Sequence, residues 1–147
     1  MPLWHIYTPP GAYTNEDKKA LAEAITKNNV EFAQIPAFFV NVYFFEVPVD
    51  DTYIGGEAKS GFIRIVTDII ARHLPTPEEQ EACMASIEET IQPFTVGRGF
   101  DTEIHLDETP IGLWRVNGIK APVAHPEIFA QWVEENRPVP WEAPVSA

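Results

Sequence analysis

The sequence repeats itself at an interval of 62 residues, and this repeat limits the possible folds more than any other feature. Thr14 and Thr76 each precede a helical pattern, and Pro48 and Pro110 each end a strand-like run, at the same interval. Within the helical segments the matching pairs, which we expect to share a core-facing row, are Ala20 with Ala82, Ile25 with Ile87 and Phe32 with Phe94. Several independent matches at one interval indicate two copies of one supersecondary unit.

The first unit, about residues 1–60, is predicted to be a strand, a helix and a second strand. The strands cover residues 3–7 and 38–47, because both runs are rich in β-branched and aromatic residues. Between them, a helix begins after the N-cap Thr14 and ends before Pro36. A loop or small hairpin then leads to the second unit.

The second unit, about residues 61–122, repeats this plan. Its strands cover residues 62–70 and 103–109. Its helix starts at a capping box formed by Thr76 and Glu79 and runs to about residue 91.

The last part of the chain, about residues 123–147, differs in character from both units. Pro126 opens a short helix whose apolar face is predicted to contain Phe129, Trp132 and Val133. A proline-rich tail with Trp141 follows, and we interpret it as an arm that either straps a neighbouring subunit or is disordered. All 147 residues are expected to form a single domain.

A strand–helix–strand connection of this length is a right-handed crossover, so the two strands of each unit should be parallel. The expected fold class is α/β: a four-stranded sheet with two helices on one face. The other face is predicted to be left apolar by Phe38, Val40, Val42 and their neighbours. Because a monomer rarely exposes such a face, we expect a homo-oligomer that buries it.

Composition excludes several classes of partner. The net charge of −12 argues against nucleic acid or an anionic membrane, since nothing in the chain would neutralise phosphates. No apolar run reaches the roughly 18 residues of a membrane span, and no signal peptide is visible, so a cytoplasmic location is expected. The single cysteine, Cys83, lies within a helical pattern and is expected to be a small buried hydrophobe.

Three features resemble the tautomerase superfamily: the Met1-Pro2 start, the unit of about 60 residues, and the segment 53–57 after the second strand. Short members such as 4-oxalocrotonate tautomerase have one unit per chain. With two fused units, this chain is more similar to the group of cis-3-chloroacrylic acid dehalogenase. The resemblance extends to about residue 118, and it implies an enzyme without cofactor or metal that forms a homotrimer.

The resemblance makes Pro2 the catalytic group, because in this superfamily the initiator methionine is removed and the terminal proline nitrogen acts. The physical chemistry agrees, since a free α-amine has a pKa near 7.7–8.0, and burial beside cations lowers it towards neutrality. With Met1 attached, however, the Pro2 nitrogen is a tertiary amide with no basicity.

The resemblance also implies arginines after the third strand that hold a substrate carboxylate, because a guanidinium binds a planar anion with two hydrogen bonds. Arg72 falls on the first of these positions and Pro75 on the second, with His73 as a partial replacement. Arg64, which the repeat aligns with Pro2, is a further candidate for the pocket.

Three departures from the dehalogenase pattern decide between reactions. Asn29 stands where that group has a histidine, and His105 stands where it has a tyrosine. The water-activating glutamate falls on or near Val116, which cannot activate water. These departures argue against a chloroacrylate dehalogenase, while His105 remains a candidate second acid or base.

The leading hypothesis is therefore a cofactor-free tautomerase in which Pro2 moves a proton on a small enol or 2-oxo acid and Arg72 binds its carboxylate. A second hypothesis is a decarboxylase, hydratase or related lyase of a small 3-oxo or unsaturated acid, with the proline amine acting as an acid. A third is a non-catalytic oligomeric relative of the fold.

Overall fold

The computed structural model describes residues 1–141, in which two strand–helix–strand units are followed by a third helix. The elements are β1 (Pro2–Thr8), α1 (Asn15–Ala33), β2 (Asn41–Glu46), β3 (Tyr53–Ile54), β4 (Glu57–Ala58), β5 (Phe62–Ile70), α2 (Pro77–Ile91), β6 (Asp101–Thr109) and α3 (Pro126–Glu135). No helix within residues 1–141 combines the length and the apolar composition that a bilayer crossing requires. Residues 142–147, which contain the end of the predicted tail, lie outside the described part.

The four long strands form one sheet in the order β2-β1-β5-β6. The strands of each unit are parallel, and the two units meet through the antiparallel pair β1 and β5. The short strands β3 and β4 form a hairpin whose turn residues, Gly55 and Gly56, both have positive φ. The predicted α/β fold class and the parallel pairing within each unit are confirmed.

Both long helices begin with capping boxes; the sequence predicts the box at Thr76, and at Thr14 it predicts only the N-cap. The Thr14 hydroxyl accepts a hydrogen bond from the Asp17 N–H, and the Asp17 carboxylate accepts one from the Thr14 N–H. Thr76 and Glu79 form the same reciprocal pair at the start of α2. Each box satisfies backbone donors that a helix start otherwise leaves without partners.

The main core lies between the sheet and the two long helices. Its buried residues are Trp4, Ile6, Tyr13, Leu21, Ile25, Ile63, Ile65, Ile69, Leu74, Cys83, Ile87 and Ile91. Ile25 and Ile87 are equivalent by the repeat and both are buried, but Ala20 and Ala82 are exposed. The predicted core-facing row therefore does not include the two alanines.

The 62-residue interval fails in the first strand of each unit. Asn41 pairs with Leu3, whereas Glu103, which lies 62 residues after Asn41, pairs with Arg64. Leu3 therefore corresponds to Arg64, and the predicted match of Arg64 with Pro2 is off by one residue. Because side chains alternate between the two faces of a strand, this shift moves Arg64 to the face away from the helices.

The prediction that Phe38, Val40 and Val42 leave the outer sheet face apolar is also wrong. Val40 and Val42 pack against the main core, on the helix side of the sheet. The face away from the helices, here called the open face, combines half-exposed aromatic rings with charged pairs. Its side chains include His5, Tyr7, Tyr43, Phe45, Arg64, Glu103, His105 and Asp107.

A second core forms where the C-terminal segment packs over the start of β1 and the end of β5. Its buried residues are Phe39, Ile70, Trp114, Ala121 and Trp132. Phe129 of α3 packs against this cluster as predicted, but Val133 is 44% exposed, so its predicted place on the apolar face is wrong. Trp141 folds back onto its own chain, where its indole N–H donates to the Lys120 carbonyl oxygen at 2.8 Å.

Candidate active site

A cavity of about 370 Å³ lies where the start of β1, the end of α1 and the residues after β5 meet. The C-terminal segment closes one side of it. Its aromatic and aliphatic lining includes Phe32, Ile35, Phe39, Trp114, Val123 and Phe129, and its polar lining includes Asn28, Asn29, Thr67 and Arg72. Within residues 1–141 no carboxylate side chain lines it.

Pro2 is buried and lines this cavity as the first residue of β1. It pairs with Ile69 of β5, so its position is fixed by the central pair of strands. In the described chain its nitrogen is in a peptide bond with Met1.

Met1 extends the pairing by one residue. The Met1 amine donates a hydrogen bond to the Ile70 carbonyl oxygen at 2.6 Å, and the Ile70 N–H donates to the Met1 carbonyl oxygen at 2.6 Å. Burial, and secondly the positive charge of Arg72, lower the pKa of this amine to about 5. The Met1 amine is therefore neutral at pH 7.

Arg72 lines the same cavity from the loop that follows β5. It comes after Ala71, which has a left-handed backbone (φ 64°), and its guanidinium carbon lies 4.9 Å from the centre of the Phe32 ring. It forms no ion pair with a carboxylate of residues 1–141. Arg72 thus brings to the cavity a positive charge that no carboxylate in the described part of the chain neutralises.

Two asparagines near the end of α1 supply the amide groups of the cavity. The Asn28 side chain donates to the Ser86 hydroxyl of α2 at 2.6 Å, which links the two helices. The Asn29 side chain donates to the Ile25 carbonyl oxygen at 2.8 Å and lines the cavity as well. The structure therefore brings Pro2, Arg72 and Asn29 together.

The other sequence candidates lie elsewhere. His73 is paired with Glu108 in the exposed loop beside Arg72 and does not line this cavity. Arg64 and His105 lie on the open face, where the Arg64 guanidinium is 2.6 Å from the His105 ring nitrogen Nδ1 and is also paired with Glu103. Within one chain, the sheet separates both of them from Pro2.

Sequence reasoning did not identify several residues of the cavity. Trp4, Thr67 and Cys83 belong to buried strand and helix faces, where the pattern indicates only a core. Burial raises the pKa of the Cys83 thiol, which fits the predicted buried hydrophobe. Trp114 comes from the segment after β6, in which no periodicity is visible. The alternation of side chains could have placed Trp4 beside Pro2, since the two lie on the same face of β1.

Comparisons with known proteins agree with this fold. The family model described as "Putative oxalocrotonate tautomerase enzyme" matches residues 1–137. Native RhCC from Rhodococcus jostii RHA1 is 42% identical, with 95% of this chain and 99% of that chain covered and a TM-score of 0.90. Comparison with curated protein sequences gives no match.

Two further solved structures are similar. A probable enzyme from the thermophilic fungus Aspergillus fumigatus is 36% identical, with 96% of this chain and 98% of that chain covered and a TM-score of 0.88. The fused 4-OT protein F6, an asymmetric trimer, is 22% identical, covers 84% of this chain and 98% of its own, and has a TM-score of 0.68, which shows a shared fold. Together with the family match over residues 1–137, these similarities show that the chain belongs to the putative oxalocrotonate tautomerase family, within the tautomerase superfamily.

Proposed function

We propose that this protein is a cofactor-free tautomerase of small enols or 2-oxo acids. After removal of Met1, the Pro2 nitrogen is the general base and Arg72 binds the substrate carboxylate. The observation that carries the proposal is that Pro2 and an Arg72 with no carboxylate partner in residues 1–141 line one largely apolar cavity.

The surroundings of Pro2 favour a base over an acid. Removal of Met1 converts the Pro2 nitrogen from an amide into a secondary amine. Burial and Arg72, which lower the pKa of the Met1 amine to about 5, act on the same end of β1. We therefore expect the Pro2 amine to have a pKa below the ordinary range of about 7.7–8.0 and to be neutral at pH 7.

A neutral amine in this place can move a proton in either direction. Starting from the 2-oxo acid, the nitrogen takes a proton from C3, and the electrons of the broken C–H bond pass through C2 to its oxygen. The resulting ammonium returns the proton to that oxygen, which gives the enol and the free amine. Arg72 holds the carboxylate through both steps, and its planar guanidinium suits this task.

The cavity lining argues against the alternative lyase reactions. Adding water to a double bond requires a group that activates the water, and no carboxylate side chain of residues 1–141 lines the cavity. Val116, at the position where the resemblance places a glutamate, packs into the second core instead. A decarboxylase that uses a protonated amine would need an amine pKa that stays above about 7, whereas burial and Arg72 lower the pKa of the Met1 amine at this end of β1 to about 5.

The proposed assembly is a homotrimer. The fused 4-OT proteins F6 and Q0, which share the fold, form trimers. The half-exposed aromatic rings of the open face provide apolar area that association would bury.

The test is the activity of Pro2→Ala, using protein whose mature N-terminus has been determined by intact mass spectrometry. Phenylenolpyruvate, 2-hydroxymuconate and halogenated acrylates are followed spectrophotometrically. We expect wild-type activity on an enol substrate and a loss of about 10²- to 10⁴-fold in the variant, the usual contribution of a general base. Equal activity of the two proteins, or Met1 retained on an active protein, would exclude Pro2 as the base. A wild-type protein inactive on all three substrate classes would support the non-catalytic alternative.

A further inference from the structure

Two buried polar side chains on the sheet side of the cavity have no hydrogen-bond partner within residues 1–141. Trp4 of β1 and Thr67 of β5 are cross-strand neighbours, and both line the cavity. They are 1% and 0% exposed, and neither the Trp4 indole Nε1 nor the Thr67 hydroxyl Oγ1 has a partner among residues 1–141. Because buried polar atoms are nearly always hydrogen-bonded in native proteins, two neighbouring exceptions in one cavity require an explanation.

The place of this polar pair in the cavity is defined by the strand register. Pro2 and Trp4 are two residues apart on β1 and therefore share a face, as do Thr67 and Ile69 on β5. Since Pro2 pairs with Ile69, and Trp4 with Thr67, the polar pair lies one step along the sheet from the proposed base. Arg72 follows the end of β5, on the other side of Pro2. The cavity thus presents a cation, a base and a pair of hydrogen-bonding groups in sequence.

We propose that the Trp4 indole N–H and the Thr67 hydroxyl bind the C2 oxygen of the 2-oxo acid or enol. This proposal rests on the function proposed above and assigns the contact that distinguishes a 2-oxo acid from a simple carboxylic acid. Oxygen is the suitable partner, because an indole N–H can only donate and a hydroxyl can also donate.

The same two donors would bind the C2 oxygen both in the bound substrate and while the C3 proton is being removed. When the base takes the C3 proton, the electron pair that it leaves behind places negative charge on the C2 oxygen. Two donors that bind that oxygen would stabilise the charge as it develops. In the enol, the oxygen still accepts from both donors while its own proton faces the Pro2 amine.

The test compares the binding of two ligands that differ only at C2. Phenylpyruvate carries the C2 oxygen, and 3-phenylpropanoate has the same ring and carboxylate without it. In calorimetric titrations, the variant Thr67→Val, which has the same shape but no hydroxyl, is expected to lose about two- to tenfold in affinity for phenylpyruvate, the range for one hydrogen bond between neutral groups. Its affinity for 3-phenylpropanoate should not change, and Thr67→Ser should restore the preference.

Thr8 provides a matched control within the same sheet. Its hydroxyl is also buried without a partner in residues 1–141, but Thr8 does not line the cavity. If the unpartnered hydroxyls have only a structural effect, Thr8→Val and Thr67→Val will change thermal stability alike and leave ligand preference unchanged. A change of ligand preference confined to Thr67→Val supports the proposal.

Two results would overturn the proposal. One is an equal preference for phenylpyruvate in the wild type and Thr67→Val, and the other is a wild type that binds neither ligand. Trp4→Phe is a second variant of the same contact, and Thr67→Val decides alone if that variant does not fold. The proposed function is tested separately, by the activity assay. The binding preference for phenylpyruvate can be measured whether or not the wild type has tautomerase activity, so the two failures can be distinguished.

Discussion

Arg72 owes its proposed role to the groups around it. Its guanidinium lies against the Phe32 ring, and no carboxylate of residues 1–141 pairs with it. The neighbouring residue His73 takes the nearby Glu108 carboxylate instead. An arginine that packs against an aromatic ring keeps its N–H groups free for an anion from outside. The same positive charge also acts on an amine at the start of β1.

Arg72→Gln tests both effects in one pH profile. A base must be neutral, so kcat/KM should be constant above the pKa of the Pro2 amine and fall about tenfold per pH unit below it. Since Arg72 lowers the pKa of an amine at this position, its removal should move the acid limb to higher pH. At the plateau, KM for a carboxylate substrate should rise about ten- to hundredfold, the range for a hydrogen bond to a charged group.

Arg98→Gln is the control, because Arg98 pairs with Asp17 at the surface and does not line the cavity. Its profile should match that of the wild type. An acid limb that stays in place in Arg72→Gln would contradict the electrostatic effect, and an unchanged KM would contradict the carboxylate contact.

From the sequence, single residues could be placed in the cavity only where a strong signal exists. Pro2 follows from its place at the chain start together with the resemblance, and Arg72 from its distance to the Thr76 cap. Trp4 and Thr67 carry no such signal, because a strand buried on the helix side looks the same whether its polar atoms face a ligand or a neighbour. That their polar atoms lack hydrogen-bond partners within residues 1–141 is visible only in three dimensions.

At the scale of elements, helix starts were predictable and strand register was not. Helix starts depend on local capping chemistry, and both predicted N-caps, Thr14 and Thr76, are confirmed. Register depends on loop length. When Leu3 is matched with the equivalent residue Arg64, the connection from β5 to α2 is one residue longer than the connection from β1 to α1. One residue is half the period of a strand, so this difference moved Arg64 from the expected pocket to the open face.

That longer connection is held by Glu108 at the end of β6. Its carboxylate accepts a hydrogen bond from the Leu74 N–H at 2.8 Å and pairs with His73. The hydrogen bonds from His73 and Leu74 lower the pKa of Glu108. Glu46, which the repeat matches with Glu108, pairs with Lys18 of α1 instead. In the second unit the glutamate therefore holds the loop between the first strand and the helix, which is the loop that carries Arg72. In the first unit the equivalent glutamate binds the helix instead.

Glu108→Gln should weaken this attachment in a pH-dependent way. Because the folded pKa is lowered, the unfolded chain binds the proton more readily, so the stabilisation is full above the ordinary pKa of 4.5 and is lost as the pH falls through the lowered value. The difference in melting temperature between wild type and variant should thus have its full size above pH 4.5 and shrink as the pH falls below this value. KM for a carboxylate substrate should also rise severalfold, because Arg72 is less well positioned.

Glu46→Gln is the matched control in the first unit, and it should leave KM unchanged. A melting-temperature difference between wild type and Glu108→Gln that persists undiminished at pH 3 would contradict the assigned role of the Glu108 carboxylate.

At the scale of the whole molecule, the open face is the surface through which we propose that chains associate. The rings of Tyr7 and Phe45 stack there at 5.0 Å, and Tyr43 remains 53% exposed. Ion pairs such as Arg64 with Glu103 lie on the same face. The face is thus more polar than the sequence indicated, and this mixture is typical of interfaces, which combine aromatic side chains and arginine.

If the protein is a homotrimer that associates through the open face, light scattering should give a mass near three times 16.5 kDa. The measurement is made at moderate salt, where repulsion between chains of charge −12 is screened. Tyr43→Glu should shift the protein towards the monomer at micromolar concentration, because a buried carboxylate without a partner opposes association. Val96→Glu is the control, since Val96 is 62% exposed but lies in the turn after α2, outside the open face. A wild type that is monomeric at micromolar concentration would contradict the trimer. A Tyr43→Glu protein that stays trimeric would instead place the interface away from the open face, at the sheet edges or the C-terminal segment.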